Sequence, residues 1–174
     1  MGSDKLRIDY DLYDTHYGSL LIASTHVGVC YSTFCTSAEA ALDILRLTFG
    51  QAQIFRATAQ WHRRLLSCLK PSDSADDCIS LHLMGSEFRL KVWRALLEVP
   101  LGSVATYSDL AQAIGSPKAV RAVGSAVASN PIVPFIPCHR IIRRDGSLGN
   151  YSAEGGTERK AALLFMEQAI LPSI

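Results

Sequence analysis

The chain has 174 residues, 48% of them hydrophobic and 19% charged, with a formal net charge of +1. This balance excludes a disordered tail and leaves enough chain for one domain, or two small ones, with a buried core. Residues 1–84 hold 7 Lys/Arg against 9 Asp/Glu and residues 85–174 hold 10 against 7, which directs any anionic partner to the C-terminal half.

Five cysteines, Cys30, Cys35, Cys68, Cys78 and Cys138, form an odd set with no C-x-x-C pair, and no signal peptide precedes them. The expectation is an intracellular, reduced setting, cytoplasmic in a prokaryote or nuclear in a eukaryote. Cys30 and Cys35 are too loosely placed relative to His16, His26 or His82 for a zinc site, so no metal is assigned. No apolar run approaches the roughly 18 residues of a membrane span. Leu6 stands where a myristoylation signal needs Ser or Thr.

In chain order, Ser19–Ser24 and Val27–Phe34 read as short strands separated by a turn near His26. A helix follows over Ala38–Phe49, with Thr36 and Glu39 spaced as a capping box and Gly50 past its end. A second helix starts at Thr58 and repeats Trp61, Leu65 and Leu69 at i, i+4 and i+8 before Pro71. His62, beside Arg63 and Arg64, reads as part of a solvated face. Pro71–Asp77 is a linker candidate and divides the chain into an N-terminal α/β module, residues 1–80, and a second domain, residues 81–174. That domain opens with a strand over Ile79–Leu83. A helix then runs over Glu87–Val99, capped by Ser86, with Phe88, Val92 and Leu96 inward and Trp93 flanking them.

Thr106-Tyr-Ser-Asp109 is another capping box and opens a helix ending at Ile114, with Gly115 beyond it. Ser116 and Pro117 supply an N-cap and a first-turn proline, so the next helix begins within about three residues. Two short helices around a Gly turn have the form of a helix-turn-helix, or of a plain packed hairpin. The second helix places Val120, Val123 and Val127 inward. Its other face holds Ala119, Ala122, Gly124, Ser125 and Ala126, with Arg121 as its one long side chain. Major-groove reading needs several long polar side chains. A smooth face of small residues with one arginine fits close, sequence-tolerant docking into a minor groove.

The segment Asn130-Pro-Ile-Val-Pro-Phe-Ile-Pro-Cys138-His139-Arg140 is an ordered coil, because its three prolines exclude a helix or a central strand. It can fix a thiol in one place. By itself a Cys-His pair is weak, since most free cysteines are small buried hydrophobes.

Taken together, Tyr107–Gly115, Pro117–Gly124, Asn130-Pro131, Ile136-Pro-Cys-His-Arg-Ile141 and Gly149-Asn-Tyr-Ser152 resemble the O6-alkylguanine-DNA alkyltransferases, the methylated-DNA–protein-cysteine methyltransferase pattern. The resemblance covers about residues 85–168; residues 1–80 share only the layout. It implies a small three-stranded-sheet, RNase H-like N-terminal module, whose expected job is to buttress a helical C-terminal domain with a winged-helix-like helix-turn-helix. It further implies direct, irreversible transfer of an alkyl group from O6 of guanine, or O4 of thymine, in duplex DNA to Cys138. No cofactor is implied, and the protein is expected to be a monomer. His139 would take the thiol proton through a bridging water and Glu167 would orient His139. Tyr107 would protonate the leaving guanine and help rotate the nucleotide out, with Lys160 near the nucleophile. Arg121 would fill the vacated place in the base stack, and Asn130 would tie the turn before the thiol. The carbonyls of Cys138 and Ile141 would accept the guanine amino group, while Tyr151 and Ser152 line its pocket. Ser108, Ser116 and Arg144 fall at phosphate contacts.

The chain departs from the pattern between Tyr151 and Lys160, where Ser-Ala-Glu-Gly-Gly-Thr-Glu-Arg is two residues longer and predicts a more mobile pocket wall. Two competing readings remain. A non-catalytic, alkyltransferase-like lesion-binding protein is disfavoured by the presence of Cys138. A Cys-His thiol hydrolase lacks any oxyanion or triad spacing and leaves Arg121 without a role.

Overall fold

Ile8, Tyr10 and Leu12 alternate with Arg7, Asp9 and Asp11, and this period of two builds β1 (Arg7–Thr15). β1 pairs antiparallel with β2 (Gly18–Ser24), from Asp9 opposite Ser24 to Thr15 opposite Gly18. β3 (Val29–Phe34) adds antiparallel to β2. After α1 (Ala38–Phe49) the chain lays β4 (Gln53–Arg56) parallel to β1, giving the order β3-β2-β1-β4. The sheet therefore has four strands rather than the expected three. β4 carries no alternating apolar signal of its own; its pairing with β1 is long-range. The computed structural model describes residues 5–69 and 79–169, which fall into two units, Met1–Leu83 and Met84–Ile174. Pro71–Asp77, the linker candidate, and Cys78 lie outside the described residues.

Both faces of this first sheet are covered. Leu21 and Ala23 join Ala41 and Leu45 of α1 in one cluster. Residues of the other parity, Leu20, Ile22 and Ser24, are also buried, and α2 (Gln60–Ser67) packs against β2 and β3. The cap of α1 is Ser37, whose hydroxyl accepts from the Ala40 amide at 3.1 Å, and not Thr36 one residue earlier. His62 is fully buried, contrary to its reading as part of a solvated face. Helix neighbours point about 100° apart, so Arg63 and Arg64 can face outward while His62 faces the sheet. The Tyr13 hydroxyl lies 2.9 Å from Nδ1 of His62 and the Ser24 hydroxyl 3.0 Å from Nε2. The strand expected over Ile79–Leu83 reduces to a single bridge from Leu81 to Val29. Here the backbone passes so close that a Cβ on Gly28 would lie 2.3 Å from the Ser80 carbonyl oxygen.

In the second unit, α3 (Glu87–Leu97) is capped by Ser86 and buries Val92, Trp93 and Leu96; Phe88 is only half-buried. α3 packs on α4 (Tyr107–Ala113) and α5 (Val120–Ala128). The indole Nε1 of Trp93 donates to the Ala126 carbonyl at 2.9 Å, so Ala126 belongs to the inward face with Val123 and Val127. α5 starts later than expected. Ser116–Ala119 form a turn, in which the Ala119 amide donates to the Ser116 carbonyl, and Ser116 is not the cap. β5 (Ala105–Thr106) and β6 (Ile141–Ile142) form a parallel pair, and α6 (Gly156–Met166) closes the described unit against the 3-10 turn Cys138–Arg140. Among the described residues, no helix is long and apolar enough to cross a membrane.

Candidate active site

The β5–β6 pair brings two distant stretches together. Thr106 is opposite Ile142; Tyr107 follows β5 directly, and the Cys138–Arg140 turn runs directly into β6. Tyr107 is set by the cap of its helix. The Thr106 hydroxyl accepts from the Asp109 amide at 3.1 Å, and the Asp109 carboxylate accepts from the Thr106 amide and hydroxyl, each at 2.8 Å. Cys138 is set by Asn130. The Asn130 amide nitrogen donates to the Ile136 carbonyl at 2.7 Å and to Sγ of Cys138 at 3.1 Å, while its oxygen accepts from the Ile132 amide at 3.0 Å. One side chain thus brackets the proline-rich segment at both ends and touches the sulfur.

Cys138 opens on a cavity of 520 Å³ that Tyr107, Arg121, Arg143, Tyr151 and Ser152 also line. α5 supplies Val120, Gly124 and Ser125 to its lining, and Asn150 also lines it. Gly149 adopts φ +69°, and a Cβ there would lie 3.4 Å from the Arg143 side chain and 3.7 Å from the Tyr107 hydroxyl. Arg143 and the phenol therefore share this rim.

The thiol is 3% exposed, and burial pushes its pKa up, against the opposing pull of the Asn130 hydrogen bond and the Lys160 charge. A thiol of this kind is almost wholly protonated at neutral pH and needs a base when it reacts. Lys160 is fully buried and donates Nζ to the carbonyls of Ile141 and Leu148. Burial lowers its pKa to about 8, although a Cys138 thiolate would raise it. Tyr107 is held above its ordinary value, first by burial and then by the Cys138 charge. Burial likewise raises Tyr151, whose hydroxyl faces Cys138 without a hydrogen bond of good geometry.

Behind the sulfur, His139 is 1% exposed, with Nε2 at 2.8 Å from Oε1 of Glu167. Its Nδ1 has no partner among the described residues. Glu167 is the C-cap of α6, one position past the helix proper. Burial alone would raise its pKa, but hydrogen bonds from His139 and Arg140, and their charges, bring it down to about 2.

Of the residues singled out in the sequence, Tyr107, Arg121, Cys138, Tyr151 and Ser152 line the cavity, and Asn130, His139, Lys160 and Glu167 form the shell behind it. Ser108, Ser116 and Arg144 lie elsewhere than its lining. Ile141 is fully buried in β6, and its carbonyl already receives Lys160, which leaves one lone pair for a base. Arg140, Arg143 and Asn150 were given no place in this site by the sequence. The Arg at 140 and 143, close to the thiol in a chain of low net charge, was the available signal. Among the described residues no group of three or more His, Cys, Asp or Glu converges. Cys30 and Cys35 instead donate to the carbonyls of Ala23 and Ser37.

Residues 87–169 match the family described as 6-O-methylguanine DNA methyltransferase, DNA binding domain. These residues carry the DNA-binding domain of this alkyltransferase family. It is 38% identical over 168 residues to the regulatory protein ada of Salmonella typhimurium, which covers 95% of this chain and 47% of that protein. It is 46% identical over 90 residues to the inducible methylated-DNA–protein-cysteine methyltransferase of Bacillus subtilis, 52% of this chain and 49% of that one. The chain spans about half the length of these curated relatives. Its fold is similar to that of Mycobacterium tuberculosis OGT, solved in complex with DNA, with a TM-score of 0.72, 28% identity, and 94% and 93% of the two chains covered. The family's match falls wholly within the second unit, which carries the cavity.

Proposed function

We propose that this chain repairs alkylated duplex DNA by moving the alkyl group from O6 of guanine, or O4 of thymine, to Sγ of Cys138. The observation that carries this reading is a buried thiol opening on a cavity beside a tyrosine, with a histidine–glutamate pair behind it. Stacked guanine hides O6, so the nucleotide must leave the duplex. The nearly featureless wall of α5 lets a minor groove approach, and Arg121, exposed at the cavity edge, fills the gap in the stack. Arg144 and Ser108 sit in the same unit as candidate phosphate contacts. The phosphate role read for Ser116 loses its helix-N-terminus support, because α5 begins at Val120.

The chemistry is displacement at a saturated carbon. The thiol proton passes through a water to Nδ1 of His139, and the sulfur, poorly solvated in its cavity, attacks the alkyl carbon. The S–C bond forms as the C–O6 bond breaks. Tyr107 gives its proton to the departing guanine ring, so the base leaves neutral, and both donor and acceptor exchange with solvent afterwards. Asn130 and Lys160 stabilise the sulfur while it is charged. The resulting thioether has no good leaving group, so each molecule acts once. No step calls for a cofactor, and one chain supplies every group named, as a monomer would require. The RNase H-like description of the first unit, the winged-helix-like description of the second and an intracellular setting belong to this reading, as does the boundary near residue 80.

Mass spectrometry after incubation with methylated duplex tests it. A stable methyl adduct on Cys138 is expected. Cys138→Ser should bind DNA nearly as well and gain no methyl. Binding without any adduct in the unaltered protein would favour a lesion-binding protein, and transfer retained by Cys138→Ser would sink the mechanism.

A further inference from the structure

Arg140 is the strongest charged group for which the alkyl-transfer reading supplies no role. Its Nε donates to Oε2 of Glu167 at 2.8 Å, its Nη2 to Oε1 at 2.9 Å, and its Nη1 to the Val99 carbonyl at 2.6 Å. The pair is shielded, with the two side chains 14% and 6% exposed. Oε1 is the same oxygen that meets Nε2 of His139. We infer that Arg140 is a positioning residue for the transfer: its fork locks Glu167 so that His139 carries its proton on Nε2 and presents Nδ1 to the Cys138 side.

The inference rests on the alkyl-transfer reading and on a simple asymmetry of hydrogen bonding. An ionised carboxylate only accepts, so its contact with Nε2 demands a proton on Nε2. A protonated carboxyl could donate to Nε2 instead, and the neutral ring would then hold its proton on Nδ1, the wrong nitrogen for a base. Burial favours that protonated carboxyl, and Arg140 opposes it with a charge that is never lost. The bond to Val99 fixes the fork to the chain after α3, so the guanidinium cannot swing away with its partner. Lysine could supply the charge but not two parallel donors. The titratable and charged groups facing Glu167 are His139 and Arg140 from the 3-10 turn and Tyr151 from the loop before α6. Lys160, on α6 itself, addresses Cys138 and two carbonyls. The chain after α3 supplies the Val99 carbonyl.

Nitrogen-15 NMR of histidine-labelled protein reads the tautomer directly. At neutral pH the unaltered protein should show His139 protonated on Nε2 and bare on Nδ1; a proton on Nδ1 overturns the inference. The second measurement is the pH profile of single-turnover methyl transfer in Arg140→Lys and Arg140→Gln. Without the fork the Glu167 carboxyl protonates more readily, which moves the acid limb up, by about one pH unit or more in Arg140→Gln, with a smaller move in Arg140→Lys. A residue needed only for folding would lower the folded fraction and leave the limb in place, and that result also overturns it. Site-resolved alkylation of Cys138 by iodoacetamide across the same pH range reports the same base without any DNA. If the unaltered protein transfers no methyl group, the alkyl-transfer reading fails, while the tautomer and the iodoacetamide profile still decide the role of Arg140. If neither variant folds, the tautomer in the unaltered protein decides it.

Discussion

Each unit buries one histidine almost completely, and the two are finished differently. In the first unit the His62 ring has both nitrogens satisfied, by Tyr13 and Ser24, and its side chain works as a polar rivet between α2 and the sheet. In the second unit the His139 ring is satisfied at Nε2 alone, and its buried Nδ1 has no partner among the described residues. Around it stand further groups that a core optimised for stability would avoid: a fully buried lysine, a thiol pushed up by burial and a tyrosine hydroxyl without a well-aligned bond. Of these, the unpartnered Nδ1 of His139 and hydroxyl of Tyr151 each cost about 1–3 kcal/mol. The contrast sets a histidine with both nitrogens satisfied against one whose open nitrogen the proposed transfer would use.

The sharpest break of this contrast comes from His139→Gln. Single-turnover methyl transfer should slow by about two to four orders of magnitude, the usual scale for losing a general base. A loss of less than about threefold would make His139 another rivet. Arg121→Ala should slow repair of methylated duplex by roughly tenfold, because only unstacking suffers, while dealkylation of a free benzylated guanine base keeps its rate. Equal losses on both substrates would show Arg121 to be structural.

His62→Ala should do the reverse of His139→Gln. It should remove about 2–4 kcal/mol of stability in a urea titration and leave the transfer rate of the folded fraction unchanged. The same variant separates two pH effects. Burial lowers the pKa of His62 from its ordinary 6.5, so the unfolded chain takes up a proton there that the folded one refuses. Stability is complete above pH 6.5 and declines as pH falls from 6.5 toward the lower folded value. Glu167, lowered from 4.5 to about 2, adds stability that is present above pH 4.5 and is lost between 4.5 and about 2. The unaltered protein should lose stability in both windows, and His62→Ala only in the second.

The smallest effect concerns the surface. DNA binding should weaken with salt at a log–log slope on the order of −2 to −4, since in the proposed docking only a few cations such as Lys118, Arg143 and Arg144 would meet phosphates. Random undamaged duplexes should bind alike, because Ala122 and Ser125 on α5 offer little to read bases with. A strong preference for one undamaged sequence would contradict the docking of α5 proposed above.

Local chemistry was the part of this molecule most legible in the sequence. The Thr106–Asp109 box, the Ser86 cap and the strand Ser19–Ser24 depend on residues close in the chain, and the structure forms each of them. What failed was non-local or rotational. β4 exists because β1 is there to pair with it, and nothing in Gln53–Arg56 alone announces that. β1 is legible in its Ile8, Tyr10 and Leu12 alternation. The neighbours Arg63 and Arg64 point to a solvated face for His62, but the helix turn decides the face and buries it. The late start of α5 has a similar source, since Ser116 and Pro117 are good helix openers that here make a turn first. Around the cavity, the Pro-Cys-His-Arg run was visible, but the fork of Arg140 on Glu167 joins residues 27 apart, and no local pattern announces it.

The bond from Trp93 to the Ala126 carbonyl has a practical consequence. The chain has two tryptophans, Trp61 in the first unit and Trp93 in the second. Trp93 is 2% exposed and tied to the backbone of α5, while the indole of Trp61 lies half-buried, under Arg64. Their emission should differ in colour, blue for Trp93 and redder for Trp61, so each unit carries its own optical label. Replacing Trp61 with Phe would leave a chain whose remaining fluorescence reports on the seat of α5 alone.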